Sequence, residues 1–222
     1  MRTFPFTTVG FDLDGTLLDT SGDLAAAMNH ALAEMGRAPL PVEQVRPMIG
    51  GGGRHMLAQA MIATGGLDPA ALEPAYKRLI AFYEDHLAVE TRPYPGLEDA
   101  LDALAARGVT LAVVTNKQER LARAVLDQLA LIHRFAIVIG GDTLGPGRSK
   151  PAPDLLRLMV ERCGGPAAFV GDSRYDMEAA RAAGLPRVLC SFGYRQEPIE
   201  ALGADAIIDA YAELLPALER LA

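Results

Sequence analysis

The chain has 222 residues, half of them hydrophobic, and a formal net charge of −7. This composition is enough for a substantial core, and no apolar run reaches the ~18 residues that a membrane span needs. An acidic chain also lacks the basic footprint that is normal for a nucleic-acid-binding protein. The two cysteines, Cys163 and Cys190, have no CxxC spacing and are expected to be buried free thiols. Because no basic segment followed by an apolar signal stretch opens the sequence, we expect a cytoplasmic protein.

Short apolar segments alternate along the chain with helical segments that end in glycine, which is typical of a parallel sheet covered by helices on both faces. The predicted strands are Thr7–Phe11, Thr110–Thr115, Ala136–Gly140, Ala168–Gly171, Arg187–Cys190 and Ala206–Ile208. Two of the intervening helices are predicted at Leu97–Arg107 and Met177–Ala183. The pattern predicts an α/β fold with a Rossmann-like parallel sheet.

The segment 20–92 interrupts this alternation because it contains helical patterns only. Its predicted helices are Leu24–Met35, Arg54–Ala63 and Leu72–Leu87. The sequence therefore predicts a small all-helical cap, residues 20–92, inserted after the first strand of an α/β core formed by 1–19 and 93–222. Pro93, Pro95 and Gly96 are plausible boundary residues at its end.

Two carboxylates, Asp12 and Asp14, follow the first predicted strand on alternate positions, and Gly15 then allows the chain to turn. In an open α/β sheet, ligands bind at the carboxyl ends of the strands. Paired aspartates at that edge can hold a hard cation, act as a nucleophile and supply a proton. The alternative is a solvated turn, in which Asp and Gly are ordinary residues.

Further polar residues follow the later strands. They are Thr115 and Asn116 after the second strand and Asp172 and Asp176 after the fourth, with Lys150 between them where a helix is expected to open. In this order the four motifs resemble those of the haloacid-dehalogenase-like hydrolases, which are mostly magnesium-dependent phosphatases. The ending, Ser191 to Tyr194 and then Gly203 to Asp209, looks like the phosphoglycolate phosphatase branch.

The resemblance implies a role for each catalytic residue. Asp12 would be the nucleophile that forms an aspartyl-phosphate. Asp14 would protonate the leaving alkoxide and then accept a proton from the attacking water. Thr115, helped by the Asn116 backbone amide, would bind phosphoryl oxygens, and Lys150 would bridge the nucleophile and the phosphate. Thr16 is expected to brace Asp14 or the turn.

The resemblance also implies a magnesium site. Its protein ligands would be Asp12, the backbone carbonyl of Asp14, and Asp172, with Asp176 orienting a metal-bound water or Lys150. The less favoured alternative is that Asp176 interacts with a helix N-terminus, and both roles are compatible. The three carboxylates and a phosphate dianion bring together about five negative charges, of which Mg²⁺ and one lysine remove three.

We expect residues of the cap to select the substrate. Gly52, Gly53 and Arg54 lie where a cap helix opens, and exposed amides at a helix start favour an anion. We expect this loop to receive a substrate carboxylate, although a flexible hinge is an equal alternative. His55 is a weaker candidate.

The function that these residues predict is hydrolysis of a small phosphorylated metabolite, with 2-phosphoglycolate as the first candidate. A pyrophosphatase or nucleotidase of the same fold is the principal alternative. A sugar phosphomutase is less favoured, because the glycine-rich loop of the cap has no clear mutase signature. A non-catalytic phosphate-binding module is also less favoured, because all the motif residues are present. We expect a monomer or homodimer that binds neither nucleic acid nor membrane.

Overall fold

The structure is a computed structural model that describes residues 4–195 and 197–221. Its strands are β1 (Thr8–Phe11), β2 (Leu18–Asp19), β3 (Arg92–Pro93), β4 (Thr110–Val114), β5 (Ile137–Ile139), β6 (Ala167–Gly171), β7 (Arg187–Cys190) and β8 (Ala206–Ile208). Six of them form one parallel sheet in the order β5-β4-β1-β6-β7-β8. The predicted Rossmann-like parallel sheet is therefore confirmed.

The helices cover both faces of this sheet or form the insert. They are α1 (Ser21–Glu34), α2 (Val42–Val45), α3 (Gly53–Ala63), α4 (Pro69–Asp85), α5 (Leu97–Ala105), α6 (Glu119–Gln128), α7 (Asp154–Cys163), α8 (Arg174–Ala183) and α9 (Leu214–Arg220). Helix α4 begins earlier than predicted because the Asp68 carboxylate accepts a hydrogen bond from the Ala70 amide and proline is favoured at the first helical position. Among the described helices, none has the length and apolar character needed to cross a bilayer.

Strand β1 lies at the centre of the sheet, and all four of its residues are buried. A Cβ on Gly10 would come within 2.3 Å of Met159 Sδ on α7, so a larger residue would displace the Met159 side chain from the contact between strand and helix. Phe11 pairs in register with Val113 of β4 and Val170 of β6. The residues that follow β1 therefore emerge between two neighbouring strand ends.

Helices α1 to α4 pack around their own hydrophobic cluster, which confirms the helical cap after the first strand. The cluster includes Leu24, Met28, Leu32, Leu57, Met61, Leu79 and Tyr83. Two residues from the rest of the chain, Leu121 and Tyr194, join it. The exact division into 1–19 with 93–222 and 20–92 stays a prediction; residues 1–3, 196 and 222 lie outside the described part.

The insert begins and ends at a two-stranded antiparallel ribbon that the sequence pattern did not predict. In it Leu18 of β2 faces Pro93 of β3, and Asp19 faces Arg92. The buried Asp23 carboxylate of α1 strengthens the junction, since it accepts hydrogen bonds from the backbone amides of residues 90 and 91 at 2.9 Å. Entry and exit of the cap are thus held side by side.

Two smaller expectations need correction. Lys150 does not open a helix: it lies in a turn, and α7 begins at Asp154. The reason is that Pro151 and Pro153 follow closely, and a residue before proline avoids the helical region. Of the two free thiols, Cys190 is buried as expected, whereas Cys163 is only half-buried.

Candidate active site

Three buried carboxylates meet at the carboxyl edge of the sheet. Because β1 and β6 are parallel neighbours in register, Asp12 and Asp172 leave the sheet side by side. Asp176 joins them from the first turn of α8, and one oxygen of each residue lies within 4.8 Å of the others. The motif residues that are 160 positions apart in sequence are therefore brought together.

Lys150 lies among these carboxylates and is almost completely buried. Its ammonium is 2.9 Å from Asp12 Oδ1 and donates at 2.6 Å to Asp176 Oδ1 and at 2.9 Å to the Val114 carbonyl. Burial alone would lower the pKa of Lys150, but the Asp12 and Asp176 carboxylates raise it above its ordinary value. The side chain is thus a fixed positive charge.

Asp176 has both of the contacts that were anticipated for it. One carboxylate oxygen binds Lys150, and the other accepts hydrogen bonds from the Ser173 hydroxyl at 2.6 Å and the Ser173 amide at 3.0 Å. This reciprocal arrangement with Ser173 is a capping box at the start of α8. Helix geometry therefore fixes the carboxylate that in turn positions Lys150.

The charge balance of the cluster favours a cation. Burial raises the pKa of Asp12 to about 6 against the opposing effect of Lys150. Burial, together with Asp176 and Asp12, raises the pKa of Asp172 well above its usual range. One ammonium does not neutralise three buried carboxylates. An oxygen-only donor set with excess negative charge fits a hard divalent cation such as Mg²⁺.

The Asp14 side chain points away from this cluster. Both of its oxygens accept hydrogen bonds from Lys117 Nζ, at 2.8 and 2.9 Å, and Oδ1 also accepts one from the Thr20 hydroxyl at 2.8 Å. Of the two roles expected for Thr16, bracing Asp14 or bracing the turn, the first is wrong, because the Thr16 hydroxyl donates to Asp172 Oδ1 at 3.0 Å. Lys117 and Thr20 were not among the predicted site residues, although Lys117 stands only two residues beyond Thr115.

Thr115 and Asn116 follow β4, which pairs with β1, the strand that precedes Asp12. Thr115 is buried, and its hydroxyl oxygen accepts a hydrogen bond from the Lys117 amide at 3.2 Å. The Asn116 side-chain amide donates at 2.9 Å to two carbonyls, those of Gly50 in the cap and Lys150 in the core. Asn116 therefore fastens the glycine loop of the cap to the edge of the sheet.

A cavity of about 50 Å³ lies between this edge and the cap. Its core-side lining includes Asp12, Asp14, Thr115, Asn116 and Lys117, and its cap-side lining includes Leu24, Gly52, Gly53, Met56, Leu79 and Tyr83. The cap therefore covers the carboxylates mainly with apolar side chains and glycine backbone.

Arg54 does not line this cavity. Its guanidinium binds Glu73 at 2.5 Å, lies 4.2 Å from the centre of the Tyr76 ring and is more than half exposed. His55 lies nearby and contacts the Tyr175 hydroxyl at 3.1 Å. Of the cap residues proposed to bind substrate, Gly52 and Gly53 border the cavity, whereas Arg54 is engaged on the surface.

Tyr194 connects the carboxylate cluster with the start of the cap, a role that its sequence position did not reveal. Its backbone amide donates to Asp172 Oδ2 at 2.6 Å. Its hydroxyl accepts hydrogen bonds from the Thr20 and Ser21 amides at 2.7 and 3.0 Å and donates to Asp19. One buried residue thus touches both the site and the first turn of α1.

Comparison with known proteins extends these observations. A phosphoglycolate phosphatase from Agrobacterium fabrum is 40% identical over 214 residues, which cover 94% of this chain and 90% of that protein. One from Caulobacter vibrioides is 42% identical over 211 residues, with coverages of 93% and 88%. These relatives extend over nearly the whole chain.

Similarity to solved structures also extends over nearly the whole chain. A predicted phosphoglycolate phosphatase from Haemophilus somnus is 31% identical, with a TM-score of 0.87 and coverages of 96% and 97%. CbbY from Rhodobacter sphaeroides, in complex with phosphate, is 26% identical, with a TM-score of 0.77 and coverages of 96% and 99%. A family model described as haloacid dehalogenase-like hydrolase matches residues 9–190. The chain therefore belongs to the haloacid dehalogenase-like hydrolase family, and within it resembles the phosphoglycolate phosphatases.

Proposed function

We propose that this chain is a magnesium-dependent phosphatase that hydrolyses a small phosphomonoester, 2-phosphoglycolate above all, through an aspartyl-phosphate. The observation that carries the proposal is the contact of Lys150 with Asp12 and Asp176, beside Asp172 and below the cap. This arrangement supplies a buried nucleophile, a fixed positive charge and a set of oxygen ligands in one place.

In the first step, Asp12 attacks the phosphorus and the bond between phosphorus and the leaving oxygen breaks. Lys150, 2.9 Å from Asp12, orients the nucleophile and stabilises charge on the phosphoryl oxygens. Thr115 and the Asn116 backbone amide complete the phosphate contacts. The product of this step is an aspartyl-phosphate and the free alcohol.

Asp14 acts as the general acid and then as the general base. It protonates the leaving alkoxide, and it then takes a proton from the water that hydrolyses the aspartyl-phosphate. Lys117 and Thr20 hold the Asp14 carboxylate away from the metal cluster, on the side of the cavity where the leaving group lies. Two aspartates two positions apart thereby serve separate functions.

The magnesium ion would be held by the Asp12 and Asp172 carboxylates and the Asp14 backbone carbonyl, with Asp176 orienting Lys150 from behind. When bound, it neutralises the clustered carboxylates and the phosphate. Thr16 and the Tyr194 amide fix the Asp172 carboxylate for this purpose.

The substrate proposal rests on size and on the relatives. The cavity is about 50 Å³, well below the ~300–1,000 Å³ typical of drug-sized ligand sites, which suits a leaving group of a few atoms. Relatives about 40% identical are named phosphoglycolate phosphatase. We further propose that the protein works in the cytoplasm as a monomer or homodimer on a small phosphorylated metabolite, without nucleic-acid or membrane partners.

A phosphate-release screen with magnesium tests the proposal. The substrates are 2-phosphoglycolate, ethyl phosphate, pyrophosphate and nucleotides, with Asp12→Asn as the inactive variant and the exposed Asp127→Asn as its matched control. We expect the highest kcat/KM for 2-phosphoglycolate, lost in Asp12→Asn only. Preference for pyrophosphate or nucleotides would overturn the substrate assignment, and release unaffected by Asp12→Asn would overturn the mechanism.

A further inference from the structure

Lys117 is a buried cation in the cavity that the steps above use only to hold Asp14. Lys117 is 8% exposed. Among the described residues that line the cavity, it alone carries a cationic side chain. Burial by itself would lower the pKa of Lys117, but Asp14 raises it above its ordinary value. The cavity therefore contains a permanent ammonium on its leaving-group side.

The other nearby cations are committed elsewhere. Lys150 contacts Asp12 and Asp176 on the phosphate side. Arg54 binds Glu73 on the surface. An anionic leaving group that entered the cavity would find no other positive charge among the described lining residues, and an unpaired carboxylate in apolar surroundings is strongly disfavoured.

Tyr83 gives a second, independent indication of a ligand. Its side chain is 1% exposed and lines the cavity, and its hydroxyl has no hydrogen-bond partner among the described residues other than the Lys117 ammonium beside it. Lys117 Nζ lies 4.9 Å from the centre of the Tyr83 ring. Buried hydroxyls are normally paired. Here the neighbouring ammonium gives two of its three N–H donors to Asp14 and can only donate. The Tyr83 O–H therefore has no acceptor among the described residues.

We propose that Lys117 and the Tyr83 hydroxyl bind the carboxylate of the substrate's leaving group and so select phosphorylated carboxylic acids. Asp14 protonates the ester oxygen, and Lys117 contacts Asp14 directly. A carboxylate one methylene away from that oxygen therefore reaches the same ammonium, while the Tyr83 hydroxyl donates to it from the cap. This assignment rests on the proposed function and moves carboxylate recognition from Arg54 to Lys117.

The test compares 2-phosphoglycolate with ethyl phosphate, which has a methyl group in place of the carboxylate. The readout is the ratio of the two kcat/KM values. Tyr83→Phe removes one hydrogen bond to a charged group and should lower this ratio about tenfold, through KM for 2-phosphoglycolate. Because the O–H that it removes donates to no described residue, this variant should stay close to the wild type in stability.

Lys117→Met should lower the ratio by at least ~10-fold as well, on top of slower turnover of both substrates because Asp14 loses its partner. The matched control is Lys77→Met, which removes an exposed lysine on the same helix as Tyr83 and should leave the ratio unchanged. A ratio that stays within twofold of the wild type in both Tyr83→Phe and Lys117→Met, or that falls only in Arg54→Ala, would overturn the assignment.

Binding measurements test the role of Lys117 separately from the hydrolytic activity. In the Asp12→Asn background with magnesium, calorimetry should show tighter binding of 2-phosphoglycolate than of ethyl phosphate, and Lys117→Met should abolish the difference. If the wild type releases phosphate from neither compound, the proposed assignment of 2-phosphoglycolate as substrate fails, and the calorimetric comparison still decides the role of Lys117. Equal affinities for the two compounds would contradict it.

Discussion

Replacing Asp12 by asparagine should stabilise the metal-free protein above pH 6. Burial raises the pKa of Asp12 from 3.8 to about 6, so between these values the folded chain retains a proton that the unfolded chain has lost. Stability therefore falls as pH rises through this window. The difference of about two units corresponds to roughly 3 kcal/mol, or about 6–12 °C in Tm for a chain of this size. Asparagine cannot ionise, and the variant escapes this loss.

Thermal unfolding from pH 4 to 8 in the presence of a chelator measures the effect. The Tm of the wild type should fall relative to that of Asp12→Asn between pH 4 and pH 6, whereas Asp127→Asn should follow the wild type. Saturating Mg²⁺ should reverse the order, because a cation that binds the ionised folded state stabilises it. A metal-free wild-type Tm that stays constant or rises relative to Asp12→Asn across the window would refute the electrostatic argument.

Three further substitutions test individual contacts. Lys150→Met leaves two buried carboxylates without their cation. The free energy of unfolding should therefore fall by about 3–5 kcal/mol in denaturant titrations, and a change below 1 kcal/mol would contradict the burial of this ion pair. Thr20→Val removes a hydrogen bond to Asp14 and should lower kcat about tenfold with little change in KM, and an unchanged kcat would exclude the contact. Tyr194→Phe should speed hydrogen exchange at the Thr20 and Ser21 amides, whereas wild-type exchange rates would show that the hydroxyl does not protect them.

Much of the site was accessible from sequence because a parallel sheet collects its strand ends at one edge. Asp12 and Asp172 follow short, buried apolar segments, and adjacency of β1 and β6 brings the two carboxylates together. The helical pattern of 20–92 likewise predicted the cap, since no strand alternation interrupts it. The hydrophobic pattern of each segment and the position of strand ends at one sheet edge are together sufficient to predict these features.

The contacts that depend on tertiary packing were not predictable. Lys117 reaches Asp14 across 103 positions, and Tyr194 reaches the first turn of α1 across more than 170. Neither residue type at its position signals such a partner. Arg54 appeared suited to the cavity because it opens a helix, but Glu73 on the neighbouring helix provides a closer partner at the surface.

Because β2 and β3 pair where the chain enters and leaves the insert, the insert can be exchanged for another segment by protein engineering. Leu18 and Asp19 lie directly opposite Pro93 and Arg92, so a turn of two residues is enough to join the strands and replace 20–91. The six-stranded sheet receives no strand from that segment. Grafting a different helical insert at the same two cut points would therefore leave Asp12, Asp172, Asp176 and Lys150 in place while changing which molecules reach them. The graft must also cover Leu121 and Tyr194 and supply the hydroxyl that Thr20 donates to Asp14.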